Sequence, residues 1–467
     1  MSRTNSVCPL VADESPPPPY ATGNPPTNAY EMAQTTGSAV SFTVRSKMSS
    51  VDNGTGITDI AAQHQIMQDN DADDDSDIQL TYYEAMSPLF KFMQIMGLWH
   101  SEVINPSKRK SKSRRILNAR NYSILVLFLL WFNLLRFLPA FFVGPELDPS
   151  RLYFKVIYMT VLLQAALNAS VNFWAASRKT MLRDYFVHFE KSIQRDPENK
   201  IDLGWLRGRA KAFTVVAVIY VTCHFLNQTV GVFGPVESIR NSTNIFVAPF
   251  NPHVVVHIIC IYLNIYVFAS WIFPLLYFLL TCQLMSRLFH DFDVRIGIDI
   301  QRATAAKIFP PTFEKLRRQH QYLCESVSLA NSGLFTYISL ITYVTMGPLA
   351  CFMLYQLLFS QGIAGNVSAY LMYAIWLSSI FVNVCVVSWY AAVMSSKAHD
   401  AKDDCYVCCI DSVTNEQLMQ MNMFLSRLNG EDIGFTIFDL VTLTKPFILT
   451  IAGLVLTYYA IISEFQG

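Results

Sequence analysis

The chain has 467 residues, 52% of them hydrophobic and only 15% charged, with a positive mean hydropathy. That balance excludes an ordinary soluble globular protein and points to a membrane protein. The formal net charge of zero gives no bulk attraction to nucleic acid, and the 10 cysteines follow no disulfide-framework spacing.

Met1 to Leu10 is polar, so no cleavable signal peptide is expected. Residues 1–80 are rich in Ser, Thr, Asn, Pro, Gly and Asp and hold almost no aromatics. Such a stretch cannot bury enough apolar surface to fold, and a disordered tail is expected. Pro17-Pro18-Pro19-Tyr20 matches a Pro-Pro-x-Tyr ligand of a WW domain, with a solvated Pro-rich linker as the alternative. The acidic run Asp71 to Asp77 reads as a solvated spacer.

Residues 81–121 form a transition. Ser87 to Trp99 is apolar but too short to span, which predicts a short interfacial helix. The basic block Lys108 to Arg115 comes directly before an apolar span, where it acts as an orientation signal.

Seven apolar stretches predict seven membrane helices: Tyr122–Val143, Leu152–Ala176, Ala212–Phe233, Val254–Cys282, Leu334–Leu358, Tyr370–Met394 and Phe447–Phe465. None shows the alternation of a barrel strand, so the fold class is an all-α membrane protein. The four loops on one side carry 27 Lys and Arg, and those on the other side carry 2. The positive-inside rule then predicts a cytoplasmic N-terminus and an extracellular C-terminus, in a multi-pass protein of the plasma membrane. Sequons at Asn241 and Asn366 fall in the outside loops and are the expected glycan acceptors; those at Asn121 and Asn168 fall at or inside a span and read as chance matches.

Between the fourth and fifth spans, Leu316, His320, Leu323, Val327 and Ala330 share a helical face. In residues 395–433, Thr414-Asn-Glu-Gln417 is a capping box, with Leu418, Met421, Phe424, Leu425 and Leu428 after it along one side. Helices four to six therefore extend into the cytoplasm and pack there with this amphipathic segment. Cys405, Cys408 and Cys409 cluster nearby; inert thiols are expected, with acylation as the alternative, and no metal site or cofactor is indicated. No phosphate loop or nucleophile elbow occurs, and no enzyme is expected.

Residues 434–467 hold the last span. Thr450, Leu454, Thr457, Ile461 and Glu464 fall on one face of it, the more polar one. Gly434-Phe435-Thr-Ile-Phe438, and then Thr457-Tyr458 with five residues before Glu464-Phe465, resemble the C-terminal signature of invertebrate gustatory receptors. Glu464 stands where that family usually has Gln, and Thr436 where a second Phe is usual. The resemblance implies a homo- or hetero-tetrameric, ligand-gated, non-selective cation channel in the lipid bilayer, passing monovalent and divalent cations. The last helix would line a central pore, with Glu464 and Phe465 at the outer gate, Thr457 and Ile461 below, and the cytoplasmic helices as an anchor. Four Phe465 rings close a pore by dewetting and four Glu464 carboxylates favour cations. A merely solvated Glu464 is the alternative.

A small-molecule ligand would bind among residues 122–394. The outer halves of the spans carry Tyr158, His224, Asn227, His257, Tyr262, Tyr355, Tyr373 and Trp376, a set suited to a polyol or small organic ligand. Interfacial belts place Trp and Tyr there too. Arg136 and Lys155 either face a cavity or snorkel. A light- or temperature-sensing member of the same family and a G-protein-coupled seven-helix receptor are the other readings; the charge asymmetry opposes the second.

Overall fold

The computed structural model describes residues 80–100, 118–142, 149–194, 202–234, 240, 243–359, 367–407 and 413–464. The Pro-Pro-x-Tyr match, the acidic run, the basic block, Cys408, Cys409, Asn241, Asn366 and Phe465 lie outside these residues.

The described residues form thirteen α-helices. They are α1 Thr81–Ala85, α2 Ser87–Ile95, α3 Ala119–Phe137, α4 Pro149–Ser177, α5 Lys179–Gln194, α6 Leu203–Phe233 and α7 Val254–Ala306. The rest are α8 Phe313–Ala330, α9 Thr336–Phe359, α10 Val367–His399, α11 Ala401–Tyr406, α12 Asn415–Asn429 and α13 Lys445–Glu464. A hairpin, β1 Thr436–Ile437 with β2 Val441–Thr442, precedes α13. Among the described residues, 6 helical stretches are long and apolar enough to cross a membrane, and α13 supplies a shorter apolar helix, Lys445–Ile461.

The spans outrun the apolar stretches read from sequence. The α6 helix begins at Leu203, where the Asp202 side chain accepts from the Gly204 amide at 2.8 Å and caps the exposed N–H groups. The α7 helix runs unbroken for 53 residues with Pro274 inside it, and stops where Lys307 turns into the left-handed region at φ 55°. It is the central rod, packed most extensively against α6 and α10. The α9 helix lies along α4. On that α4 side Gln164, Asn168 and Asn172 recur every fourth residue, all of them buried. The buried Asn168 cannot accept a glycan, which agrees with a chance sequon.

The expected interfacial helix is instead a core element. Leu89, Phe90, Met93 and, just past the helix, Trp99 are buried. Phe90 stacks on Trp99 at 4.7 Å and on Tyr83 at 4.9 Å, and meets Tyr277 of α7 edge-on at 5.1 Å. Each such pair adds about 0.5–1.5 kcal/mol beyond its burial. Protein, not lipid, covers this face. Glu190 of α5 holds the entry to α1, accepting from the Thr81 hydroxyl and the Tyr82 amide.

Last helix, joint and candidate ligand cavity

Beyond the spans, α12 forms as its capping box predicts. The Thr414 hydroxyl accepts from the Gln417 amide at 3.3 Å, and the Thr414 amide donates to Gln417 Oε1 at 3.0 Å. Met421, Phe424 and Leu428 are buried; Leu418 is half out, and Met419 and Met423 form a second, exposed apolar row. His399 at the end of α10 ties the end of α12 to the chain leading into the hairpin. The Ile433 amide donates to its Nε2 at 3.0 Å, so Nδ1 carries the hydrogen donated to the Leu428 carbonyl at 2.7 Å. Cys405 is buried, which makes it a poor site for acylation.

The hairpin then locks onto the junction of α8 and α9. That junction is a π-turn, Asn331–Phe335, with Gly333 at φ −101°, ψ −124°. Asn331 donates to Thr436 and to Asp439 Oδ1 and accepts from the Thr436 amide at 3.0 Å; Thr336 accepts from the Phe438 amide at 2.8 Å. Phe438 and Asp439 turn the chain at φ 53° and 57°. Phe435 is fully buried against Phe278 and Phe335. A Cβ on Gly434 would sit 2.8 Å from Thr442 Cγ2, so glycine is required there. The resemblance motif is thus a joint between the junction of α8 with α9 and the last span.

The last span, α13, touches α9 and α10 along one strip only. Val455 is its one buried residue among those described. The predicted polar face is open: Thr457 and Glu464 are exposed and Ile461 is 44% exposed, on the side away from Val455. Thr450 and Thr457 hydroxyls turn back onto the Pro446 and Gly453 carbonyls. Leu449 and Leu456, on the flanks, are also uncovered.

A small cavity of about 40 Å³ lies among α4, α6, α7, α9 and α10. Its walls include Phe154, Tyr158, His224, Gln228, Phe246, Asn264, Phe268, Trp271, Met353, Trp376 and Ser379. Tyr158 donates to Asn264 Oδ1 at 3.0 Å, and the Tyr220 and Ser379 hydroxyls bond at 3.0 Å. His224 is sandwiched by Tyr220 and Phe268, each ring 4.4 Å away. Phe246 comes from the chain between α6 and α7, and Arg136 fixes it there. That guanidinium donates to the Phe246 and Ala248 carbonyls, both at 2.9 Å, and to Asn133 Oδ1 at 2.8 Å.

Of the residues expected to bind ligand, Tyr158, His224 and Trp376 meet in this cavity. Tyr373 stands just behind it, against Phe154 and Trp376. Tyr355, packed on Tyr153 and Phe359, and the buried His257 are outside the walls. Asn227 is half-buried beside Gln228 and lines nothing here. Tyr262, 60% exposed, faces outward. Arg136 does not snorkel; it is buried against the Phe246 and Ala248 carbonyls. Trp271 and Asn264 were missed. Their signal was a Trp and an amide deep inside an apolar run rather than at its rim.

A model of the family described as "7tm Chemosensory receptor" matches residues 86–466. Among solved structures, the insect olfactory receptor OR5 from Machilis hrabei, in complex with eugenol, has a similar fold. It superposes with a TM-score of 0.57 at 13% sequence identity, covering 81% of this chain and 97% of that one. Among the curated proteins no relative matches.

Proposed function

The chain belongs to the 7tm chemosensory receptor family, a multi-pass membrane protein, and from that premise we propose that it is a gustatory-type receptor acting as a ligand-gated, non-selective cation channel. Four copies surround one pore, with the N-terminus in the cytoplasm. The observation that carries this reading is α13: an apolar helix of 20 residues covered on one strip only, with its Thr457, Ile461 and Glu464 face open. In a fourfold arrangement that face borders the pore and the flanks with Leu449 and Leu456 meet neighbouring copies. Glu464 enriches cations at the outer mouth, and Phe465 beside it closes the pore when dry. The exposed row Met419 and Met423 on α12 supplies a second contact between copies on the cytoplasmic side. Glycans are carried by Asn241 and Asn366, and the Pro17-Pro18-Pro19-Tyr20 segment docks a WW domain.

The cavity is the ligand site. It lies on the extracellular half of the bundle, and three of the spans that wall it, α7, α9 and α10, continue into the joint below. A ligand that widens the cavity moves these spans, and the Asn331–Thr436 lock passes the motion to α13. The single-channel current of cells expressing this chain tests the pore. Glu464→Gln should lower cation conductance, most at low ionic strength, where the Debye length is about 30 Å at 0.01 M salt. Phe465→Ala should raise current without ligand. Variants that reach the surface with conductance, selectivity and resting current all unchanged would sink the pore assignment.

A further inference from the structure

Three residues of the cavity wall each carry a buried polar atom with no partner among the described residues: Nε1 of Trp271, Nε1 of Trp376 and Nδ1 of His224. Each is shut off from solvent. The two indole nitrogens are donors and nothing else. The polar oxygens of the wall bond to one another instead, the Tyr158 hydroxyl to Asn264 Oδ1 and the Tyr220 hydroxyl with that of Ser379. No Asp or Glu stands in the wall, and nearly all of the remaining lining is apolar.

A buried donor left unpaired is costly, so a pocket with spare N–H groups favours a guest that brings lone pairs. We propose that this cavity, which at about 40 Å³ must widen to admit a guest larger than a water or two, selects a compact, mostly apolar molecule whose polar group is a hydrogen-bond acceptor: a ketone, ester or ether oxygen taken by the indole N–H of Trp271 or Trp376. The inference rests on the reading of the cavity as the ligand site. A polyol brings several hydroxyl hydrogens to a wall that is mostly apolar, with too few acceptors to take them all. A protonated amine finds no carboxylate. A hydrocarbon of the same shape fills the space and leaves both indoles unpaired. Of the polyol or small organic ligand expected from the aromatic and amide content of the outer half-spans, this favours the second.

Four probes separate these cases: acetophenone, cumene, 1-phenylethylamine and glucose. The first three share one skeleton and differ at a single group. Binding to the purified full-length protein is measured by calorimetric titration. Acetophenone should bind about tenfold tighter than cumene, the span of one good hydrogen bond, and the amine and glucose should not saturate. In the Trp271→Phe, Trp376→Phe pair that preference should vanish while acetophenone and cumene both still saturate, which also shows the cavity intact. If the pair does not fold, Trp376→Phe alone should still cut the preference by at least half, because that ring is only half-buried and tolerates change. Equal binding of acetophenone and cumene, tighter binding of the amine or glucose, or a preference that survives the Phe variants overturns the inference and leaves the cavity in place as the ligand site. If none of the four binds, or if Ile380→Trp, which fills the cavity, leaves acetophenone binding unchanged, the site reading fails and the inference fails with it.

Discussion

At the scale of single residues, the buried charges are set by what they hold. Arg136 is 8% exposed and joins α3 to the strand of chain that roofs the cavity. Removing it strands two carbonyls inside the protein, a loss of about 2–4 kcal/mol. Arg136→Met should therefore lower the melting temperature in detergent by several degrees, and Arg136→Lys should recover only part, because an ammonium cannot fork to both carbonyls. Glu190 gives a pH dependence. Burial raises its pKa above the ordinary glutamate value, and the bonds from Thr81 and Tyr82 offset that only in part. A raised folded-state pKa means that the folded form holds the proton more tightly than the unfolded one. The stabilisation is complete below the ordinary pKa of about 4.3 and is lost as pH rises through the folded value. Melting scans from pH 4 upward should show this decline in the parent, and Glu190→Gln should flatten it. Neither role was legible in the sequence. Arg136 could be read as facing a cavity or as snorkelling, because the carbonyls that receive it lie more than a hundred positions away.

At the scale of elements, local pattern was a sound guide wherever the partner of a helix was close in sequence or the spacing was regular. The α12 helix starts at its capping box and buries Met421, Phe424 and Leu428 from the predicted stripe. The α8 stripe of Leu316, His320, Leu323, Val327 and Ala330 is buried throughout. Pattern failed for α2, whose short apolar run reads the same against lipid as against Phe186 and Tyr277. It also gave no sign of the hairpin, where two-residue strands are held by Asn331 across the fold. The second row on α12 separates folding from assembly. Replacing Met419 and Met423 with Ser leaves the buried stripe untouched, so the monomer should fold and the yield of tetramer in detergent should drop severalfold. Size-exclusion chromatography with light scattering reads this directly; tetramer at full yield would move the contact elsewhere.

At the scale of the whole molecule, the apolar helices and their order were evident from runs of apolar residues, because a bilayer core asks about 20 of them from each span; six of the seven runs fall in helices long enough to cross and the last in a shorter one. The cavity was not. It draws on five helices and one loop, and only Tyr158, His224 and Trp376 among the expected residues converge there. Aromatic residues at the rim of a span look alike whether they meet a ligand or the lipid headgroups. The charge asymmetry makes orientation testable: an N-terminal tag should stain only after permeabilisation and a C-terminal tag on intact cells, and the reverse pattern would overturn the topology. The 53-residue α7 adds a mechanical point. From Asn264 at the cavity to its end at Ala306 the helix covers about 60 Å at 1.5 Å per residue. A stiff arm of that length gives gain: each degree of tilt at the upper end swings the lower end through about 1 Å. A displacement too small to show in the cavity itself is thereby large enough at the far end to exchange one set of side-chain contacts for another.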